Sequence, residues 1–171
     1  MLASMSAKPT DPVDPATTVE HPMPANDPFR PLVIPATMRQ EIVRHVAGWL
    51  PYEGCGLVAT ERLSEHDRGV HFFPGPNIDR SPVRYTMDPC EVIAAMKVMR
   101  SHGWQFGAIV HSHPSSPPTI SATDAREAYY PDVRLVIVSF LHGEPEFGCW
   151  AQRPDPESPV FLRVPLVFGN R

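Results

Sequence analysis

Cysteine is scarce, and its spacing encodes no pairing. Cys55, Cys90 and Cys149 are odd in number and form no C-x-x-C, which excludes a disulfide framework. Reduced thiols in a cytosolic protein are the expected state. Long apolar runs are missing too. No stretch approaches the ~18 residues of a membrane span. The opening MLASMSAKPTDPVDPATTVEHPMP lacks the ~7–15-residue apolar centre of a secretion signal. A cytoplasmic protein with no membrane partner is the expectation. Basic charge is short as well. Lys and Arg total 15 against 19 Asp and Glu, a net charge of −4. That balance argues against a surface built to neutralise nucleic-acid phosphates.

What is present fits one ordinary globular domain. The chain has 171 residues, 42% hydrophobic and 20% charged, enough for a single core. Proline is the anomaly, at 22 residues. Seven of these (Pro9, Pro12, Pro15, Pro22, Pro24, Pro28, Pro31) lie in the first 31 positions, where no hydrophobic period exists. Proline fixes φ and removes a backbone donor, so residues 1–31 read as a tail favouring extended conformations. Residues 32–171 form the domain. The tail is either a passive leader or a segment docked on a neighbouring subunit or across a site; the sequence does not choose.

From residue 32 the pattern alternates α and β. Met38, Ile42, Val46, Trp49 and Leu50 share one face of a helix over 36–50, with Pro35 at its start. Strands are expected at 54–60 and near 70–73, then a loop and a short strand within 77–88. Asp88-Pro89-Cys90-Glu91 is a helix start with Asp88 as cap and Glu91 completing the box, and Gly103 is the stop. A buried strand over 106–113 follows, then a helix opening at Ser121, then strands at 133–140, 146–153 and 160–168. Strands interleaved with helices indicate an α/β or α+β layered domain.

The chemistry concentrates in His111-Ser112-His113 and the segment running to Asp124. Side chains at i and i+2 on a strand share a face, so His111 and His113 aim two imidazoles at one point. Neutral imidazoles bind Zn²⁺, and Asp124, in the first turn of the next helix, is the candidate third ligand. Three protein ligands leave a fourth position for water, the pattern of a catalytic zinc. Ser121-x-x-Asp124 is equally a plain capping box that needs no metal. Hydrolysis by a zinc-activated water also needs a proton acceptor, then a donor to the leaving group. Glu53, just ahead of the first core strand, is the candidate; an exposed turn glutamate is the alternative. Cys55 and Cys149 read as core, and Cys90 as an idle thiol. His66, His71, His102 and His142 read as surface residues, Trp104 and Phe106 as packing. Tyr129 and Tyr130 either pack or line a groove.

The string H-x-H-x7-S-x2-D, from His111 to Asp124, together with Glu53-Gly54-Cys55-Gly56-Leu57, resembles the signatures of the JAMM (MPN+) zinc metalloproteases. The likeness spans about 32–168. Asn77, Arg80, Ser81 and Pro82 add a likeness to bacterial members that release cysteine from a sulfur-carrier protein. The resemblance implies a single MPN/JAMM domain, a curved mixed β-sheet flanked by helices and similar to cytidine deaminases. It implies one Zn²⁺ per chain on His111, His113 and Asp124, with Glu53 as base then proton donor, and Ser121 bonding the developing oxyanion. A deaminase proper would need H-x-E and P-C-x-x-C, which the chain lacks. The implied partner is the C-terminal tail of a ubiquitin-like or sulfur-carrier protein, with a homodimer left open. The short run from Asp124 to Val133 leaves no room for a large substrate-grasping insertion, which favours a flexible peptide laid in a groove. A non-catalytic MPN scaffold and a zinc peptidase acting on small peptides are the competing functions.

Overall fold

The computed structural model describes residues 26–155 and 159–169. In chain order the elements are β1 (Leu32–Ile34), α1 (Ala36–Ala47), β2 (Cys55–Arg62), β3 (Asp67–Gly75), α2 (Pro89–His102), β4 (Gln105–His113), α3 (Ala122–Arg126), β5 (Arg134–Ser139), β6 (Glu146–Arg153), β7 (Val160–Arg163) and β8 (Leu166–Phe168). The eight strands form one sheet in the order β7-β6-β5-β4-β2-β3-β1-β8. It is mixed: β4 with β5, β1 with β3 and β1 with β8 are parallel, and the other pairs are antiparallel.

Its two edges, β7 and β8, are separated in sequence by Val164 and Pro165 alone. The sheet therefore curls until its edges meet. The Val164 N–H donates to the Cys149 carbonyl at 2.8 Å, and the Leu32 N–H to the Pro165 carbonyl at 2.9 Å, stitching the seam. Sequence periodicity runs 160–168 as one strand. The structure breaks it where Pro165 interrupts the run of backbone donors, and sends the two halves to opposite edges.

Alternation along the strands builds two cores. Inside the curl, Val58, Phe72, Val110, Val136 and Val138 pack with Leu32, Ile34 and the Met38–Ile42–Val46 face of α1. On the outer face, Leu57, Ala59 and Phe106 pack with Ala95 and Met99 of α2. α1 ends at Ala47 rather than residue 50, so Trp49 and Leu50 fall in the following turn and Leu50 is 42% exposed. Asp88 caps α2 through the Cys90 N–H at 2.8 Å, and Gly103 ends it with φ 67°, as expected; the cap acts without a return bond from Glu91. No strand forms within 77–88, where a single bridge joins Asn77 to Met87. The short β1 went unforeseen.

The expected tail divides. Residues 1–25 lie outside the described residues, but 26–31 belong to the folded body. The Asn26 amide donates to the Phe106 carbonyl at 2.8 Å. Buried Arg134 donates to the carbonyls of Asp27 at 3.0 Å and Arg30 at 2.9 Å. These bonds centre on an ionic knot at the end of β4 and β5 away from His113. Asp67, fully buried, takes the Arg134 guanidinium at 2.7 Å and Arg30 at 3.1 Å. Removing one member of such a knot leaves a buried charge unpaired. Asp67→Ala is expected to destabilise the protein by about 3–5 kcal/mol in chemical denaturation.

Candidate active site

The site is built at the end of β4. His111 and His113 point to one face and are both buried. The chain after them is tied down at each step. The Ser139 hydroxyl donates to the Ser116 carbonyl at 2.6 Å, and the Trp150 indole to the Pro118 carbonyl at 3.0 Å. Gly148 faces Pro118, and any side chain there would collide with its carbonyl oxygen. The loop so held delivers Ser121 as the cap of α3 and puts Asp124 in its first turn.

Three ligating groups then converge. The two Nε2 atoms lie 3.2 Å apart. His111 Nε2 is 3.1 Å from Asp124 Oδ1, and His113 Nε2 is 3.4 Å from Asp124 Oδ2. Tetrahedral zinc with bonds of ~2.0–2.1 Å separates its ligands by ~3.3–3.4 Å; the three contacts approach that spacing, with the two imidazoles meeting different oxygens of the carboxylate. The tautomer fits as well. His113 Nδ1 sits 2.8 Å from the Pro117 carbonyl, a contact that only an N–H makes, which leaves the Nε2 lone pair facing the triangle. His111 Nδ1 is buried without a partner. Its ring is held by packing instead, stacked on Tyr85 with centroids 4.6 Å apart. Among the described residues these three form the metal-type cluster.

Capping and ligation coexist. Ser121 Oγ accepts from the Asp124 N–H at 3.0 Å, while Asp124 Oδ2 accepts from the Ser121 N–H at 2.8 Å. A hydroxyl that accepts still has a proton to donate, so the cap leaves that proton free.

Glu53 arrives from the chain leading into the neighbouring strand, β2. Cys55 pairs with His111 in the β2–β4 ladder. The Gly54 N–H donates to Ser112 Oγ at 2.8 Å, and the Ser112 N–H to the Gly54 carbonyl at 2.9 Å. Continuing that register sets Glu53 opposite His113. Gly54 is required by close approach, since a Cβ there would meet Val46 Cα at 2.7 Å. Outside the strand, the Glu53 N–H donates to the Ser81 carbonyl at 2.9 Å, and the Asn77 amide to the Glu53 carbonyl at 2.9 Å. Glu53 is 4% exposed, unlike the exposed turn glutamate that its surroundings in sequence allow.

Electrostatics follow from this geometry. Burial raises the Glu53 carboxyl to about 7, with His113 pulling it down and Asp124 pushing it up. Burial lowers His111. At His113 burial also opposes protonation, but the hydrogen bonds to Asp124 and the Pro117 carbonyl outweigh it and raise the group. At Asp124 burial pushes upward, and the bonds from His111, His113 and Ser121 hold the carboxyl far below the usual range.

Beside Asp124 opens a largely apolar cavity of about 550 Å³, lined among others by Tyr85, Met87, Met96, Phe106, Tyr129 and Phe161. Tyr129 is 76% exposed and lines this groove with Tyr130, which resolves the two readings of that pair. Among the described residues the other histidines stay outside the site: His71 and His102 stack on Trp104, His142 pairs with Glu146, and His45 reaches the Cys55 carbonyl. Cys55 and Cys149 are core and Cys90 is exposed. Tyr85 was not anticipated, and no local pattern around it signals its contact with His111.

The profile of prokaryotic homologues of the JAB domain matches residues 35–151. This chain belongs to the prokaryotic JAB-domain family. A probable TtuB-protein conjugate cleaving protease of Thermus thermophilus is 35% identical over 98 residues, covering 57% of this chain and 63% of that protein. The chain thus spans just under two thirds of that relative's length. A desampylase of Haloferax volcanii is 33% identical, covering 63% of this chain and 80% of its own. A CysO-cysteine peptidase of Mycobacterium bovis is 33% identical, covering 63% and 73%. A solution structure from Desulfitobacterium hafniense superposes with TM-score 0.71 at 27% identity, covering 82% of this chain and 94% of that one. The curled mixed sheet with flanking helices is therefore the JAB arrangement, as the sequence resemblance implied.

The raised carboxyl of Glu53 has a measurable cost. Its folded value, about 7, exceeds the reference 4.5, so folding favours the protonated form. That stability is complete below the reference value and is lost as pH rises through 7. In chelator, Glu53→Gln is expected to melt higher than wild type at pH 8, with a smaller difference at pH 5. An equal difference at both pH values would contradict the assigned burial of charge.

Proposed function

We propose that this JAB-domain protein is a Zn²⁺-dependent hydrolase that cleaves a peptide or isopeptide bond at the C-terminus of a ubiquitin-like or sulfur-carrier protein. The observation that carries the reading is the convergence of His111 Nε2, His113 Nε2 and the two Asp124 carboxylate oxygens, with contacts of 3.1–3.4 Å, beside the buried carboxyl of Glu53. The names of its relatives, a conjugate-cleaving protease, a desampylase and a cysteine peptidase, support the same class of bond.

His111, His113 and Asp124 would hold one Zn²⁺. Bound there, the ion supplies a Lewis acid that polarises the scissile carbonyl and lowers the pKa of an attacking water toward neutrality. Glu53 accepts the proton of that water as it adds to the carbonyl carbon. Glu53 then returns the proton to the nitrogen of the leaving amine as the C–N bond breaks. A carboxyl near neutral pKa suits both halves of this exchange. Ser121, whose hydroxyl proton is not used by its cap, donates to the carbonyl oxygen where negative charge develops. Tyr85 and the Pro117 carbonyl keep the two imidazoles aimed. The groove beside Asp124 takes the flexible substrate tail.

The convergence of His111, His113 and Asp124 beside the buried Glu53 supports an enzyme over a non-catalytic scaffold. A peptidase on small peptides shares the chemistry and differs only in what fills the groove. We further assign the protein to the cytoplasm, where its three free thiols stay reduced. Nucleic acid and membrane are not among its partners in this reading. Among the described residues no helix is long and apolar enough to cross a membrane. A homodimer is compatible with the site, which needs no second chain.

The test is incubation of the zinc-loaded protein with a ubiquitin-like carrier extended by one cysteine after Gly-Gly, read by mass spectrometry. Loss of the terminal residue is expected, and chelation abolishes it. Glu53→Gln should keep stoichiometric zinc and lose ~10²–10⁴-fold in kcat. Asp124→Ala should lose the metal itself. Cleavage of short peptides with every carrier untouched would favour the small-peptide reading. Full turnover by Glu53→Gln would remove Glu53 from the mechanism.

A further inference from the structure

The groove beside Asp124 has a second end, and the chain enters the folded body there. The Asn26 amide donates to the Phe106 carbonyl at 2.8 Å and also to the Asp132 carbonyl. Phe106 and Val133, the residue after Asp132, both line the groove. The next residue is fixed as well, because buried Arg134 holds the Asp27 carbonyl at 3.0 Å. The point from which residues 1–25 depart is therefore set at the Phe106 end of the cavity. Asp124, beside His111, stands at the other end.

The surface between these ends is apolar and open. Ile93, Tyr129 and Tyr130 all line it and all are exposed. Tyr130 meets Phe106 edge to face, with centroids 5.5 Å apart. A contiguous exposed apolar patch marks a surface that binds something. Clustered aromatic rings suit an extended, proline-bearing segment, whose polyproline conformation is set in advance and loses little entropy on docking.

The chain carries such a segment beside the groove. Immediately ahead of Asn26 stand Val19-Glu20-His21-Pro22-Met23-Pro24-Ala25, which lie outside the described residues. Proline brings no backbone N–H that an apolar groove would have to satisfy. Methionine fits irregular gaps and makes favourable sulfur contacts with aromatic rings. The lengths agree. From Phe106 to His111 β4 advances ~16 Å at ~3.3 Å per residue, and a polyproline segment at ~3.1 Å per residue covers that distance in about five residues. A run reaching back from Ala25 to Glu20 is thus long enough to follow the groove to Asp124. The tether favours this occupant over a free ligand, since a short link gives an effective concentration in roughly the millimolar range.

We propose that residues 19–25 of this chain dock in the groove beside Asp124, with Met23 among its aromatic rings, and compete there with the substrate tail. The docking stands on the groove and the tether alone; the competition rests on the hydrolase reading given above.

The experiment uses the zinc-loaded full chain with isotope-labelled methionine methyl groups, observed by NMR. The Met23 methyl, identified by its loss in Met23→Asp, is expected to show nuclear Overhauser contacts to the rings of Phe106 or Tyr130, and its shift should move in Tyr130→Ser. Met23→Asp should also lower KM for a cysteine-extended carrier by ~3- to 10-fold with kcat unchanged, because a competitor is removed and the chemistry is untouched. A Met23 methyl without contact to any ring of the groove, and with a shift that Tyr130→Ser leaves in place, overturns the docking. Contacts seen only between differently labelled copies put the segment on a second chain and overturn the proposal as stated. Contacts within one chain, with KM unaltered by Met23→Asp, overturn the competition. Contacts within one chain, with no carrier or peptide cleaved by either protein, overturn the hydrolase reading and leave the docking standing.

Discussion

Two buried imidazole nitrogens 3.2 Å apart, both turned toward one carboxylate, are the constraint on which the rest of the site depends. Such a cluster is expensive to bury, because each polar atom gives up water and the imidazoles offer one another little in return. The fold holds them by rigid means. Both histidines lie on a strand with neighbours on either side, β2 and β5. The loop beyond them is bonded to β5 and β6 before it reaches Asp124. Preorganisation of this sort gives a metal three ligands that do not have to move.

The same logic extends outward. Glu53 belongs to the site because Gly54 and Ser112 exchange bonds across the sheet, and because Asn77 grips the main chain on its far side. The loop after β3 therefore acts as a brace for Glu53, and Arg84 ties that brace to α3 through Glu127. The knot of Asp67, Arg134 and Arg30 sits at the other end of β4 and β5. It strengthens the fold at a distance from His111, His113 and Asp124.

How much was legible in the sequence depends on the range of the interaction. His111, His113, Ser121 and Asp124 could be read together because a strand, a short loop and a first helical turn translate directly into spacing. Their dual use, with Asp124 both in the capping box and facing the imidazoles, follows from the same short segment. Glu53 is different. Its place opposite His113 is set by strand pairing across 58 residues; its position just ahead of the first core strand made it the candidate, and family likeness then gave it a role. Tyr85 left no trace, since its stack on His111 depends on how the loop after β3 folds back. The split of β7 from β8 had a visible signal in Pro165, but its consequence, a sheet curled until its edges meet, appears only when the strand order is known. Residues 26–31 looked like tail because proline hides periodicity, yet their carbonyls are what the buried Arg134 bonds to.

The most direct measurement is an anomalous difference map at the zinc absorption edge, from crystals grown with Zn²⁺. One strong peak ~2.0–2.1 Å from both Nε2 atoms and from an Asp124 oxygen is the predicted result. Scattering absent from that triangle, with the three side chains in place and the metal elsewhere or nowhere, would contradict the central claim.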